Sequence, residues 1–217
     1  MIFPFNPAPY YMLAAALACP TPAPPVITTT YSEKPPIYTS AISTDELTKQ
    51  HKDTKVYAKP DEIFKTGGLT RGTTGANFKI RFQTLTDRNT GEMCIWPSNI
   101  DLAISYSAEI FIASENKNGT CQYKAIVGHE QRHVATDVIT IRQYMPALKT
   151  SFEAAAAQLP RGPVRNQTEA KLRQQNIEAA ITATLQSQMA QMEKTRIGRQ
   201  QAIDTREEYM RLSKVCR

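Results

Sequence analysis

The sequence predicts an α+β fold, a small, mainly antiparallel sheet packed on a long antiparallel helical hairpin. Three observations lead there. Phe78–Thr84 alternates apolar and polar residues, and the apolar segments Glu92–Trp96 and Asn99–Ala113 follow it, as strands with one buried face require. Val127, Val134, Val138, Ile141, Met145 and Leu148 fall on one stripe of a helical wheel. A second stripe, Ile177, Ile181, Leu185, Met189, Met192 and Ile197, comes after the breaker-rich stretch Leu159–Arg165.

The 217 residues suffice for one domain with a sizeable core plus a tail. Hydrophobic content of 41% and charged content of 21% are ordinary for a globular chain. The net charge of +6 is spread thinly. No lysine-arginine block or aromatic-interleaved basic run occurs, so a nucleic-acid partner is not expected.

Tyr10–Ala18 is a short apolar run ending in small residues. It is too short to span a bilayer and has the shape of a signal-peptide core, although residues 1–9 carry no basic residue. Ala16-Leu17-Ala18-Cys19 also resembles a lipoprotein cleavage box, so residues 1–19 read as a signal or lipoprotein-like segment, with Cys19 a candidate membrane tether. Either implies a secreted or periplasmic protein. Residues 20–42 hold Pro20, Pro22, Pro24, Pro25, Pro35 and Pro36 and read as an extended linker to a folded unit over residues 43–217.

Within that unit, Ser43-Thr-Asp-Glu-Leu47 starts a helix, and Thr66–Gly75 has the glycine density of a loop without the pattern of a phosphate-binding one. The strand Phe78–Thr84 follows, then Glu92–Trp96 and Asn99–Ala113 as two further strands or a bent longer pair, then a turn over residues 114–120. The first long helix should run from about residue 121 to about 158, kinked at Pro146. A turn at Leu159–Arg165 leads to a second helix from about Gln167 to Gln201, and Asp204 caps a short terminal helix reaching Ser213. Four cysteines suit an oxidising compartment. Cys94 and Cys121 bracket the strand-rich segment and are the favoured pair, which leaves Cys216 free or in an alternative pairing.

The first long helix carries the chemistry. His129 and His133 are two of only three histidines, and four residues apart on a helix they present two imidazoles on one face with Glu130 between. A tetrahedral Zn²⁺ takes neutral nitrogen donors at about 2.0–2.1 Å, a span that one helical turn provides. Glu130 would then serve as the base for a water at the metal. The alternative is a surface helix whose polar flank carries these residues by coincidence. The apolar stripe argues against it, since both histidines fall to one side of the stripe, at a cleft edge.

A catalytic zinc needs a third protein ligand. Asp137 lies about 12 Å along the helix from His129 and would orient a histidine rather than close the site. Glu153 would sit roughly 30 Å beyond His133 on an unbroken helix. Folding the two helices antiparallel about the 159–166 turn places His133 opposite residue 191, so Glu193 is the favoured ligand, with Glu207, Glu208 and Glu153 as alternates. Tyr209, Tyr144, Tyr123 and Arg132 are candidates to steady a developing oxyanion. A strand within Asn99–Ala113 is placed to hold an extended peptide by edge pairing.

His129-Glu130-Gln-Arg-His133-Val on a helix after a β-rich half, followed by a second long helix, resembles the zincin metallopeptidases of the gluzincin type. More narrowly it is similar to bacterial secreted zinc-dependent proteases, a likeness that covers residues 37–217 and takes in Gly68-Leu-Thr, Cys121 and Asp204-Thr-Arg-Glu-Glu-Tyr209. The resemblance implies zinc-dependent hydrolysis of a peptide bond in protein or cell-wall peptide. The chain departs from it in having neither the Gly and third His that metzincins place after the motif nor a Glu-x-x-x-Asp pattern at Glu193. A competing expectation is a non-catalytic envelope module that binds a partner and holds a structural metal or none.

Overall fold

A computed structural model of the chain describes residues 18–51 and 65–216. Of the leader expected over residues 1–19, residues 1–17 lie outside them. In chain order the elements are β1 (Val26–Glu33), β2 (Ile37–Thr39), α1 (Thr44–His51), β3 (Gly68–Thr86), β4 (Met93–Ile112), α2 (Cys121–Ala157), β5 (Pro163–Val164), α3 (Gln167–Gln201) and α4 (Arg206–Lys214).

The sheet has five strands built around β4. β3 pairs with it antiparallel over its whole length, with a bulge between Arg81 and Phe82. The connecting turn is held by Asp87, whose Oδ1 accepts from the amides of Asn89 and Thr90. Gly91, at φ 74°, supplies the left-handed residue this turn needs. On the other edge of β4, β1 and β2 run parallel to it and β5 antiparallel.

The expected mainly antiparallel sheet on one helical hairpin is overturned. Two of the strands are parallel to the central one, and four helices are present among the described residues. Both parallel strands come from residues 20–42, read from sequence as a linker. The prolines there flank the strands without interrupting them. Val26–Tyr31 is a proline-free, mostly β-branched run, and Pro35 and Pro36 fall in the gap before β2, on a sheet edge where a missing amide donor costs little.

Thr66–Gly75 is likewise strand rather than loop from Gly68 onward. Gly67, Gly68 and Gly72 answer to α2, which crosses that end of β3, while Gly75 faces the Ser105 hydroxyl of β4. A Cβ on Gly68 would lie 2.7 Å from Glu130 Oε1, and one on Gly72 would collide with Asp137 Oδ2. These glycines mark close approach of a helix, not chain reversal.

The core lies between sheet and helices. Ile27 and the inward residues Ile100, Leu102, Ile104 and Tyr106 meet Ile141, Leu148 and Phe152 of α2 and Ile177, Ile181, Leu185 and Met192 of α3. Burying each large apolar side chain contributes roughly 1.5–3 kcal/mol relative to exposure. Both long helices have the extents that periodicity predicts, and α2 continues through Pro146 so that Leu148 and Phe152 beyond it remain buried. The expected stripe of α3 fails at Ile197, which is 46% exposed. There the face of α3 turned to α2 becomes polar, through Arg196, Arg199 and Gln200.

Two disulfides join Cys19 to Cys94 and Cys121 to Cys216, which corrects both the Cys94–Cys121 pair and the free Cys216. Cys94 opens β4 and Cys121 follows its far end, a separation of roughly 55–60 Å along an extended strand, whereas a disulfide needs its Cα atoms within about 7 Å. The Cys19 sulfur, bonded to Cys94, is not available for a lipid thioether in this structure. The two disulfides fit an oxidising compartment outside the cytoplasm. No helix among the described residues is long and apolar enough to cross a membrane.

Candidate metal centre

The turn before α2 carries Gly119 at φ 83°, and Thr120 caps the helix by accepting from the amide of Tyr123 at 3.2 Å. From this start α2 turns one face inward: Ile126, His129, Glu130, His133, Asp137 and Thr140 are all buried. The two imidazoles expected to share a face do so. Their centroids are 4.8 Å apart, and their Nε2 atoms approach to 3.1 Å.

The third side chain in reach of the two rings with an atom able to ligate a metal is Asp204. Its Oδ1 lies 3.1 Å from His129 Nε2 and 3.0 Å from His133 Nε2, and the three residues form the one metal-capable group of His, Cys, Asp or Glu found among the described residues. Asp204 follows the end of α3 and precedes α4, whose cap is Thr205 rather than Asp204: the Thr205 hydroxyl accepts from the Glu208 amide at 3.2 Å. That leaves the aspartate side chain for the histidines.

Glu193 does not join them. Its carboxylate is held by Arg196 through two contacts of 2.7 and 2.8 Å, and its side chain is 42% exposed. The reason is register. His133 faces Gln200 of α3 rather than residue 191, a displacement of about nine residues, or roughly 14 Å at 1.5 Å per residue. The connector from 158 to 166 is not a tight turn: part of it extends as β5 along Met93 and Cys94 of β4, which shifts α3 along α2. Glu153 pairs with Lys149 on the surface and Glu207 is exposed.

Glu208 lies behind His129, with Oε1 3.2 Å from Nδ1. Arg132 and Arg211 both donate to this carboxylate. The hydrogen bond from Arg211, followed by those from His129 and Arg132, holds Glu208 down to about 2 despite its partial burial. Of the other oxyanion candidates, Tyr144 bonds to Thr195 on α3 at 2.7 Å, and Tyr123 packs against Ile110, Ile112 and Ile126. Tyr209 lies beside the site, its ring centroid 6.2 Å from that of His129. Burial, together with the carboxylates of Asp204 and Glu130, raises its phenol above the ordinary range.

Glu130 is buried next to the triad and accepts from Thr70 Oγ1 at 2.7 Å. Burial pushes its carboxyl upward, against the opposing pull of His133, His129 and the Thr70 hydroxyl. Asp204 moves the other way: burial opposes its charge, but hydrogen bonds with both histidines hold it well below the carboxylate range.

The donor chemistry decides what the triad can hold. His129 Nδ1 faces the Glu208 carboxylate and His133 Nδ1 faces Gln200 Oε1, both acceptors, so each neutral ring carries its proton on Nδ1. Arg132 Nη2, 3.0 Å from His129 Nδ1, is itself a donor and finds its acceptor in Glu208. Two Nε2 lone pairs and a carboxylate oxygen therefore converge with edges of 3.0–3.1 Å. Such a cluster repels itself unless a cation or an added proton joins it. The edge of a tetrahedron with Zn–N bonds of 2.0–2.1 Å is about 3.3–3.4 Å, so the residues fit a zinc-sized ion with a small expansion.

Asp204 could have been suspected from its place just after a long helix in a segment rich in acids, but only a correct helix register selects it over Glu193. No protein-family model, no curated protein and no solved structure matches the chain.

Proposed function

We propose that the protein is a zinc-dependent metallopeptidase acting outside the cytoplasm, with periplasmic or secreted protein or cell-wall peptide as substrate. His129, His133 and Asp204 would hold the metal, and Glu130 would serve as general base. The observation that carries this reading is the convergence of His129 Nε2, His133 Nε2 and Asp204 Oδ1, with the buried carboxylate of Glu130 beside them on the turn that carries the histidines.

A zinc ion held by these three residues would keep a fourth position open and supply Lewis acidity toward water and the scissile carbonyl. Glu130 takes the proton of the attacking water and returns it to the leaving amine. Burial raises the proton affinity of its carboxyl, which favours taking up that proton. Tyr209, kept protonated, is the nearest phenol able to donate to a developing oxyanion. The substrate would not pair with Asn99–Ala113, because β4 is paired on both edges. β3 has no strand on its outer edge among the described residues, and its Thr70 touches Glu130, so an extended peptide added there would pass over the base.

The low exposure of the two residues, 4% for His129 and 7% for His133, favours a second reading: a closed structural site in a non-catalytic module, with Glu130 as fourth ligand. One experiment separates the two. Protein loaded with zinc is assayed for metal content and for cleavage of casein and peptidoglycan panels, alongside Glu130→Gln. The peptidase reading expects about one zinc per chain in both proteins and turnover only in the unsubstituted one. Loss of zinc from Glu130→Gln, with no turnover by either protein, establishes the structural site instead.

A further inference from the structure

Behind His133 lies a set of buried polar groups that neither the motif nor the proposed chemistry explains. Gln200, near the end of α3, makes three contacts: Oε1 with His133 Nδ1, Nε2 with the backbone oxygen of His133 at 2.9 Å, and Nε2 with Asp137 Oδ1. Asp137 is 1% exposed, and its other oxygen accepts from Tyr106 Oη at 2.8 Å and from Arg196 Nη1 at 2.9 Å. Arg196 is bound in turn to Glu193. The carboxylate first expected to ligate metal thus anchors the far end of this network.

The amide of Gln200 has only one orientation that satisfies its neighbours. The backbone oxygen of His133 and the Asp137 carboxylate can only accept, so the side of the amide facing them must be NH₂. The opposite side is then the carbonyl oxygen, which faces His133 Nδ1 and can only accept. His133 must carry its proton there, and its Nε2 lone pair is left pointing at Asp204 and His129. A flipped amide would set an oxygen against the Asp137 carboxylate and an NH₂ against the ring proton.

On the reading of the triad as a metal centre, we infer that Gln200, locked by Asp137, is a positioning residue that fixes the tautomer and ring orientation of His133 and so sets metal affinity. The two histidines are supported differently, His129 by a charged carboxylate from α4 and His133 by a neutral amide from α3. The charge that backs His133 sits one residue further away, on Asp137, and is compensated by Arg196. Its influence on the metal therefore passes through the Gln200 amide.

The test compares the full chain with Gln200→Met, which keeps the volume but removes donor and acceptor, and with the exchanged pair Gln200→Glu/Asp137→Asn. In the pair a carboxylate oxygen still accepts from His133 Nδ1, and the amide introduced at position 137 donates to the other oxygen, which however now faces the His133 carbonyl with no proton between them. Zinc affinity is measured by chelator competition, ligand geometry by the visible spectrum of the Co²⁺ form, and thermal unfolding controls for folding. Gln200→Met is expected to bind zinc about 10–100-fold more weakly and to alter the Co²⁺ spectrum. The exchanged pair is expected to recover part of that affinity, since the contact with His133 Nδ1 returns while the one with the His133 carbonyl does not.

Long-range ¹⁵N–¹H spectra of the zinc-loaded, unsubstituted protein give a reading that needs no variant: His133 should be protonated on Nδ1 and bound through Nε2. Binding through Nδ1 overturns the inference. So does wild-type affinity in Gln200→Met, or an exchanged pair that melts like the parent and recovers nothing. If the unsubstituted protein binds no zinc, the metal reading itself fails. If zinc binds and Gln200→Met changes nothing, only the role of Gln200 fails.

Discussion

Cys216 is bonded to Cys121, so the far end of the chain is covalently joined to the first residue of the helix that carries both histidines. Asp204 and Glu208 lie within the loop that this bond closes, between α3 and the disulfide. Apart from it, α4 is held to α2 by the Glu208 contacts, the 3.5 Å bond from Gln122 to the Leu212 carbonyl and the burial of Leu212. Replacing both cysteines by serine should destabilise the protein by about 2–4 kcal/mol in urea unfolding. It should also weaken zinc binding, because the donor Asp204 is then tethered from one side only. Unchanged affinity in the double variant would show that the tail docks without the covalent bond.

Asp204→Ala should cost more zinc affinity than any substitution behind the histidines, beyond the roughly 10–100-fold range of outer partners. Glu193→Gln should change zinc affinity far less than Asp204→Ala, since Glu193 contacts Arg196, at the far end of the network behind His133, and no donor. Equilibrium competition with a chelator checks both. A Glu193→Gln protein that loses its zinc would restore the ligand expected from sequence.

Gly72→Ala should destabilise the fold by about 1–3 kcal/mol in urea titration, because the added carbon would run into Asp137 Oδ2 and lie 2.7 Å from Tyr106 Oη, inside a packed network that cannot withdraw. Gly198→Ala is the counterpart. Nothing lies within 4 Å of the position its Cβ would take on α3, so the change should stabilise by roughly 0.5–1 kcal/mol through helix propensity alone.

Zinc binding should weaken as the pH falls. The metal and a proton compete for the Nε2 lone pairs. In the metal-free chain, burial lowers the readiness of His133 to protonate, but the hydrogen bond and charge of Asp204 outweigh it, so His133 titrates above its ordinary value. Affinity should therefore begin to fall at a pH above about 6.5, by up to tenfold per pH unit for each proton displaced. Chelator competition between pH 5.5 and 8.5, values chosen to bracket about 6.5, measures the slope. A flat profile would mean that no histidine proton is released when the metal enters.

The sequence by itself determined the helix that presents His129 and His133 on one face with Glu130 between them, because a 3.6-residue period places neighbours within a single element without reference to the rest of the chain. For the same reason it determined the extents of α2 and α3 and the alternation of β3. The burial of His129, Glu130 and His133 came from the packing of the other elements. Tertiary structure alone decided the third donor, the disulfide partners and the direction of the outer strands. Each depends on how one element is displaced against another. The short β5 ladder shifts α3 along α2 until Gln200, not residue 191, faces His133, and Asp204 rather than Glu193 meets the rings. The length of β4 separates Cys94 from Cys121, and Gly68 and Gly72 of β3 take their meaning from Glu130 and Asp137 on a helix more than fifty residues away. A local pattern carries no record of such displacements, since the contacts that set them are between residues far apart in sequence.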